Sequence, residues 1–205
     1  MNVLVGCETS GEVREAFRAR GHNAWSIDLL ESDDDSRHHM IGDIMDYIDS
    51  REDWGMGLEL DLIIMHPPCT ALCVSGNAHY GAGKPKNHLR VAAREYTMRL
   101  WDKAVSICDR VAMENPVGVI PIKATQYIQP YEFGHPESKK TGLWLYGLPK
   151  LEVTKRLPIP SSGVWENQTP SGQNKLGPSA NRWKLRSKTY RGIAEAMAEQ
   201  WSIGG

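Results

Sequence analysis

The run "LDLIIM" at residues 60–65, cut off by "HPPC" at 66–69, constrains this chain more than any other stretch. Its unbroken apolar end is too short for a helix, and two prolines stop it, so it reads as a strand covered on both faces. Such strands belong to parallel sheets flanked by helices. The N-terminus repeats the theme. "NVLVG" is a second β-branched run that ends at Gly6, and in "CETSGEVREAFRARGH" Val13, Ala16 and Phe17 recur at helical spacing, with Gly21 as a stop.

Further along, "NAWSID" reads as a strand ending in Asp28, and "ESDDDSRHH" as a solvated acidic loop. A polar, glycine-rich loop is expected at 75–86, an amphipathic helix at 89–110, and a short strand at "VAMEN". After Pro116 the chain looks irregular until "GLWLYGLP", another strand. Pro, Ser, Gly and Asn crowd 158–179, which predicts a long loop or small insertion, and a final helix is expected at 189–201. The expected fold is therefore α/β: a doubly wound, mostly parallel sheet. Such sheets bind ligands at the carboxyl ends of their strands, where Gly6, Asp28, Asp43, Cys69 and Glu114 all fall. One crevice should hold them.

With 205 residues, the chain is expected to form one catalytic domain, with 150–187 as an insertion within it. No apolar run is long enough to cross a bilayer, and the N-terminus lacks a basic region before its short apolar run, so neither membrane nor secretion is expected. Cytoplasmic residence makes Cys7, Cys69, Cys73 and Cys108 free thiols rather than a disulfide framework. The net charge of −1 is uninformative, but its distribution is not. Residues 1–65 carry fifteen acids against five bases; residues 134–191 carry eleven bases against three acids. The six bases Lys175, Arg182, Lys184, Arg186, Lys188 and Arg191 would suit a phosphate backbone, or form a solvated surface.

Cys69 is the sharpest question. His66, Cys69, Cys73 and His79 do not have zinc-site spacing, and Gly76 stands where a radical iron–sulfur motif needs a third cysteine, so no metal is assigned. A packed thiol is the plain alternative, and Cys73 and Cys108 read that way. Cys69 differs because it follows a strand in a proline-stiffened loop. Glu114, at the end of another apolar strand, is costly to bury unless paired or protonated, and burial would raise its pKa toward that of a general acid. "GCETSG" lacks the third glycine of a dinucleotide fingerprint.

Taken in order, "GCETSG", Asp28, "GDI" at 42–44, "PPC" at 67–69 and "ENP" at 114–116 resemble the DNA (cytosine-5)-methyltransferases, more narrowly the short phage-type members. The resemblance covers residues 2–149, with a weaker match in the last helix. It implies a Rossmann-like methyltransferase fold, S-adenosylmethionine as cofactor, no metal, and DNA as partner of a monomer or a dimer, in the host cytoplasm if phage-encoded. Cys69 would attack C6 of cytosine while Glu114 steadies N3, because C5 is a poor nucleophile until a thiolate adds to the ring. By position, Gly6, Glu8, Ser10, Gly11, Asp28, Asp43, Ile44 and Pro67 would hold the cofactor. Thr189 and Ile193 would belong to the closing motif. Asn115, Lys139, Lys140, Thr141, Arg182, Lys184, Arg186 and Lys188 would meet substrate and DNA, with Trp165 and Trp183 as stacking or packing groups.

The family's glutamine-and-arginine motif is not evident, and its recognition region shrinks here to 150–187. Short or relaxed sequence recognition follows from so few groups to read base edges. Modification of free deoxycytidine nucleotides, transfer of another one-carbon group, or non-catalytic nucleic-acid binding are the alternatives. Amino-group methylation ranks below them, because no Asp or Asn with an aromatic brackets the prolines.

Overall fold

The computed structural model describes residues 1–50, 59–172, 174–177, 179 and 182–202. Strand β1 (Asn2–Gly6) leads through a tight turn into helix α1 (Glu12–Arg18), then β2 (Asn23–Asp28), β3 (His39–Ile41), α2 (Ile44–Asp49) and β4 (Leu62–Met65). A 3-10 turn and the short α3 (Asn77–Tyr80) precede the long α4 (Asn87–Ile107) and β5 (Val111–Pro116). The chain ends with β6 (Gln126–Ile128), β7 (Thr141–Tyr146), α5 (Arg182–Ser187) and α6 (Arg191–Gln200).

The seven strands form one sheet in the order β3-β2-β1-β4-β5-β7-β6. The first five are mutually parallel, and β7 enters antiparallel between β5 and β6. The expected doubly wound, mostly parallel α/β sheet is thus present. Alternation along β1 explains its two layers. Val3 and Val5 pack in one core with Val13 and Phe17 of α1 and Ile193 and Met197 of α6, while Leu4 packs in the other with Ile44 and Ile48 of α2 and Leu100 and Ala104 of α4. Strand order reverses between β1 and β4, which opens a crevice beyond their carboxyl ends.

Helix α1 starts at Glu12, where the expected glycine turn ends: Gly11 takes a left-handed φ of 69° that keeps the residues before it out of the helical path. The last helix starts at Arg191 rather than Thr189, and the expected loop at 75–86 contains α3. Among the described residues between β7 and α5 no named strand or helix occurs; a bridge from Phe133 to Lys155 ties this segment to the connection between β6 and β7. No helix of the described residues is long and apolar enough to cross a membrane.

Candidate active site

The site begins where β4 stops. His66 is the first residue past the strand, its backbone N–H bonded to the Gly6 carbonyl at 2.9 Å, and Pro67 is buried behind it. Cys69 then opens a turn, its carbonyl accepting from Leu72 and Cys73 N–H at 3.0 and 2.9 Å. Arg90 of α4 braces the turn, donating to the Ala71 and Cys73 carbonyls at 2.7 and 3.1 Å and to Asn77 Oδ1 at 2.7 Å. The thiol of Cys69 is half-buried. Burial pushes its pKa up, and Lys139, with Arg186 further off, pulls it down, while Cys73 and Glu114 add to the rise.

The neighbouring strand β5 supplies the rest. Register pairs Met65 with Met113, so the residues that follow, His66 and Glu114, lie side by side. His66 Nδ1 stands 2.8 Å from Glu114 Oε2, with the two side chains only 10% and 8% exposed. Asn115 Nδ2 donates to the Pro67 carbonyl at 2.9 Å, clamping the two strand ends together. Burial would raise the Glu114 carboxyl, but the bond from His66, the nearby Lys139 charge and the Thr189 hydroxyl prevail and hold it below its ordinary value. The sequence-based expectation that burial raises this carboxyl is therefore corrected in favour of the paired alternative. A carboxyl with a cationic partner ionises more readily than an isolated one, and the partner was not visible as such in the sequence.

The turn after β1 is equally specific. A Cβ on Gly6 would collide with Ile44 Cδ1, so glycine lets α2 close on the strand. Ile44 itself is 2% exposed and belongs to the core. Glu8 is buried and caps α1, accepting from Val13 and Arg14 N–H at 2.7 and 3.2 Å, with Ser10 Oγ 3.4 Å away. Asp43 caps α2 through Met45 N–H at 2.8 Å and accepts from Tyr96 Oη at 3.1 Å. Asp28 ends β2 and takes Leu30 N–H at 3.0 Å, with Leu29 and Leu30 exposed beside it. Cys7 lies between these acids; burial and the Asp28 and Asp43 charges push its thiol up to about 12, which leaves it inert.

Lys139 reaches the crevice, whereas Lys140 turns to the far edge, its Nζ 4.8 Å from the Tyr127 ring centre. Thr141 is buried in β7 with its hydroxyl on the Lys139 carbonyl at 3.0 Å. Beside the acidic rim, Lys184 pairs with Asp33 at 2.6 Å and Lys188 with Glu12 at 2.8 Å, while Arg191 bonds Glu195 within α6. Arg182 lies at the start of α5, and Ile193 is buried in α6. Trp165 is buried, stacked on Tyr131 at 5.0 Å between ring centres, which makes it a packing group; the Trp183 side chain lies outside the described residues. A cavity of about 690 Å³, lined by Glu12, Lys175, Lys188, Thr189 and Tyr190 among others, adjoins the Cys69 site through Thr189, whose hydroxyl bonds Glu114, and Tyr190, whose ring centre lies 5.8 Å from Lys139 Nζ.

No protein-family model matches the sequence, and no curated protein matches it. Solved structures do. A protein described as a DNA modification methyltransferase encoded within an Escherichia coli prophage superposes with a TM-score of 0.53 at 11% identity, over 80% of this chain and 53% of that one. The chain has a methyltransferase fold. The methyltransferase EhMeth of Entamoeba histolytica superposes at 0.50 with 15% identity, over 79% of this chain and 59% of that one. This methyltransferase-fold chain thus spans between half and three fifths of the length of these neighbours.

Proposed function

We propose that the chain transfers a methyl group from S-adenosylmethionine to C5 of cytosine in DNA. The observation that carries this reading is that Cys69, in the turn that follows β4, lies near enough to Glu114, at the end of the adjacent strand β5, for their charges to interact, with the Lys139 charge acting on both. A half-buried thiol beside a carboxylate suits covalent addition to a pyrimidine: Cys69 Sγ bonds to C6, and Glu114 meets N3 where negative charge develops. Asn115 holds the two strand ends in register. The reversal of strand order and the fold likeness to the prophage protein described as a DNA modification methyltransferase support the same reading.

The residues at the crevice fit the cofactor. Asp28 sets a carboxylate among the exposed Leu29 and Leu30, which suits ribose hydroxyls beside a purine face, and Ile41 adds further exposed apolar surface. When bound, S-adenosylmethionine supplies an electrophilic methyl group. The short stretch between β7 and α6 favours one second reading, a free deoxycytidine nucleotide as substrate, because it has few groups to read base edges.

Incubation with DNA containing 5-fluorocytosine and S-adenosylmethionine tests the proposal. A covalent protein–DNA adduct, resistant to denaturation and lost in Cys69→Ser, is the expected result. An adduct formed only with the free fluorinated nucleotide would move the substrate to the second reading. An adduct that persists in Cys69→Ser, or none with either substrate, would overturn both.

A further inference from the structure

His66 has no part in the reading above, yet its Nδ1 lies 2.8 Å from Glu114 Oε2. We propose that His66 is a positioning residue and proton store: with cytosine bound, its Nδ1 proton passes to Glu114 Oε2, and Glu114 delivers a proton to N3 as Cys69 Sγ bonds to C6. This inference rests on the proposed function and deepens it.

The Cys69 thiol first gives its proton to solvent. The thiolate electron pair then makes the Sγ–C6 bond, and the displaced C5–C6 π electrons move through the ring toward N3, where the proton from Glu114 is taken up. Neutral His66 and the Glu114 carboxylate remain. When Sγ leaves C6, the same proton returns from N3 through Glu114 to His66.

Three observations converge. The 2.8 Å contact joins two side chains that are about nine-tenths buried, so exchange between them does not need bulk water. His66 Nε2 is buried with no hydrogen-bond partner among the described residues, so the ring's hydrogen bonding is committed to Glu114. The groups facing the pair balance its charge: Glu8 from the β1–α1 turn lies near His66, Lys139 from the segment before β7 faces both, and the Thr189 hydroxyl approaches Glu114 from ahead of α6. Burial alone would lower the imidazole; the bond and charge of Glu114, with Glu8 behind, raise it instead. The carboxylate thus favours the protonated imidazole, and Glu114 is ionised across the neutral range. A carboxylate cannot protonate N3 by itself, so the proton must come from its partner.

The test uses exchange of the cytosine C5 hydrogen with deuterated solvent in DNA without cofactor. This reaction needs addition at C6 but no methyl transfer. In the wild type, exchange should fall at high pH as the raised imidazole loses its proton. His66→Gln keeps an N–H donor toward Glu114 but no titrating proton. It should slow exchange about a hundredfold near neutrality and move the alkaline fall toward the carboxyl range. Nitrogen NMR should find His66 Nδ1 protonated in the wild type. An unchanged rate and pH profile in His66→Gln would overturn the relay and leave Cys69 chemistry standing. Exchange that survives Cys69→Ser would remove the underlying function instead.

Discussion

Gly11 carries a backbone demand that no other residue meets cheaply. At φ 69° it turns the chain from β1 into α1, and a Cβ there would collide with the Arg14 guanidinium and stand 2.8 Å from Asp34 Oδ2. Arg14 cannot yield, because it is fully buried and bonded to Ser26 Oγ at 2.7 Å and to Asp34. Gly11→Ala should therefore cost about 2 kcal/mol, part from the left-handed backbone and part from displacing Arg14. Urea denaturation measures it, and a loss below about 0.5 kcal/mol, the range of ordinary surface substitutions, would contradict the strain. The same scale shows what the sequence could and could not reveal. Cys69 and Glu114 were legible because each follows an apolar strand. His66 was visible only as a poor zinc ligand, since its partner lies 48 residues away. Only the register of β4 against β5 shows that His66, just past β4, meets Glu114 near the end of β5, and register is a tertiary property.

At the scale of elements, long periodic segments were readable and short ones were not. Strands β3 and β6 have three residues each, too few to display alternation, so 117–140 looked irregular although it holds an edge strand. Helix α5 shows a different gap. The bases in and just after it were read as suited to a phosphate backbone or as a solvated surface, yet the fold lays them against the acidic N-terminal half, where Lys184 and Lys188 find Asp33 and Glu12. Charges that are separate along the chain become neighbours in space. If DNA is the substrate, its phosphates must displace these carboxylates, so Asp33→Asn should bind DNA more tightly and Lys184→Ala more weakly. Fluorescence anisotropy against salt concentration checks both. Lys184→Ala should flatten the logarithmic salt slope by about 0.9, the loss of one phosphate contact, and an unchanged slope would show that α5 does not touch the backbone.

For the whole molecule, the buried pair links the site to global stability through pH. Glu114 in the folded protein lies below its ordinary 4.5, so its contribution is complete above pH 4.5 and is lost as pH falls through the folded value. His66 lies above its ordinary 6.5, so its contribution is complete below pH 6.5 and is lost as pH rises through the folded value. Both act in full only between these limits. Glu8 shifts in the opposite sense, raised chiefly by burial, and it favours the fold as pH falls. Glu114→Gln leaves Glu8 in place, so comparing the variant with the wild type largely cancels that effect. The substitution should destabilise the protein by about 3 kcal/mol where both partners are charged, the usual cost of stranding one member of a buried pair. Thermal unfolding followed from pH 4 to 9 should show the gap widest between pH 4.5 and 6.5 and narrower on either side. A gap that stays constant across that range would mean that the two groups meet as a neutral pair, and the proton store would have no charge to hold.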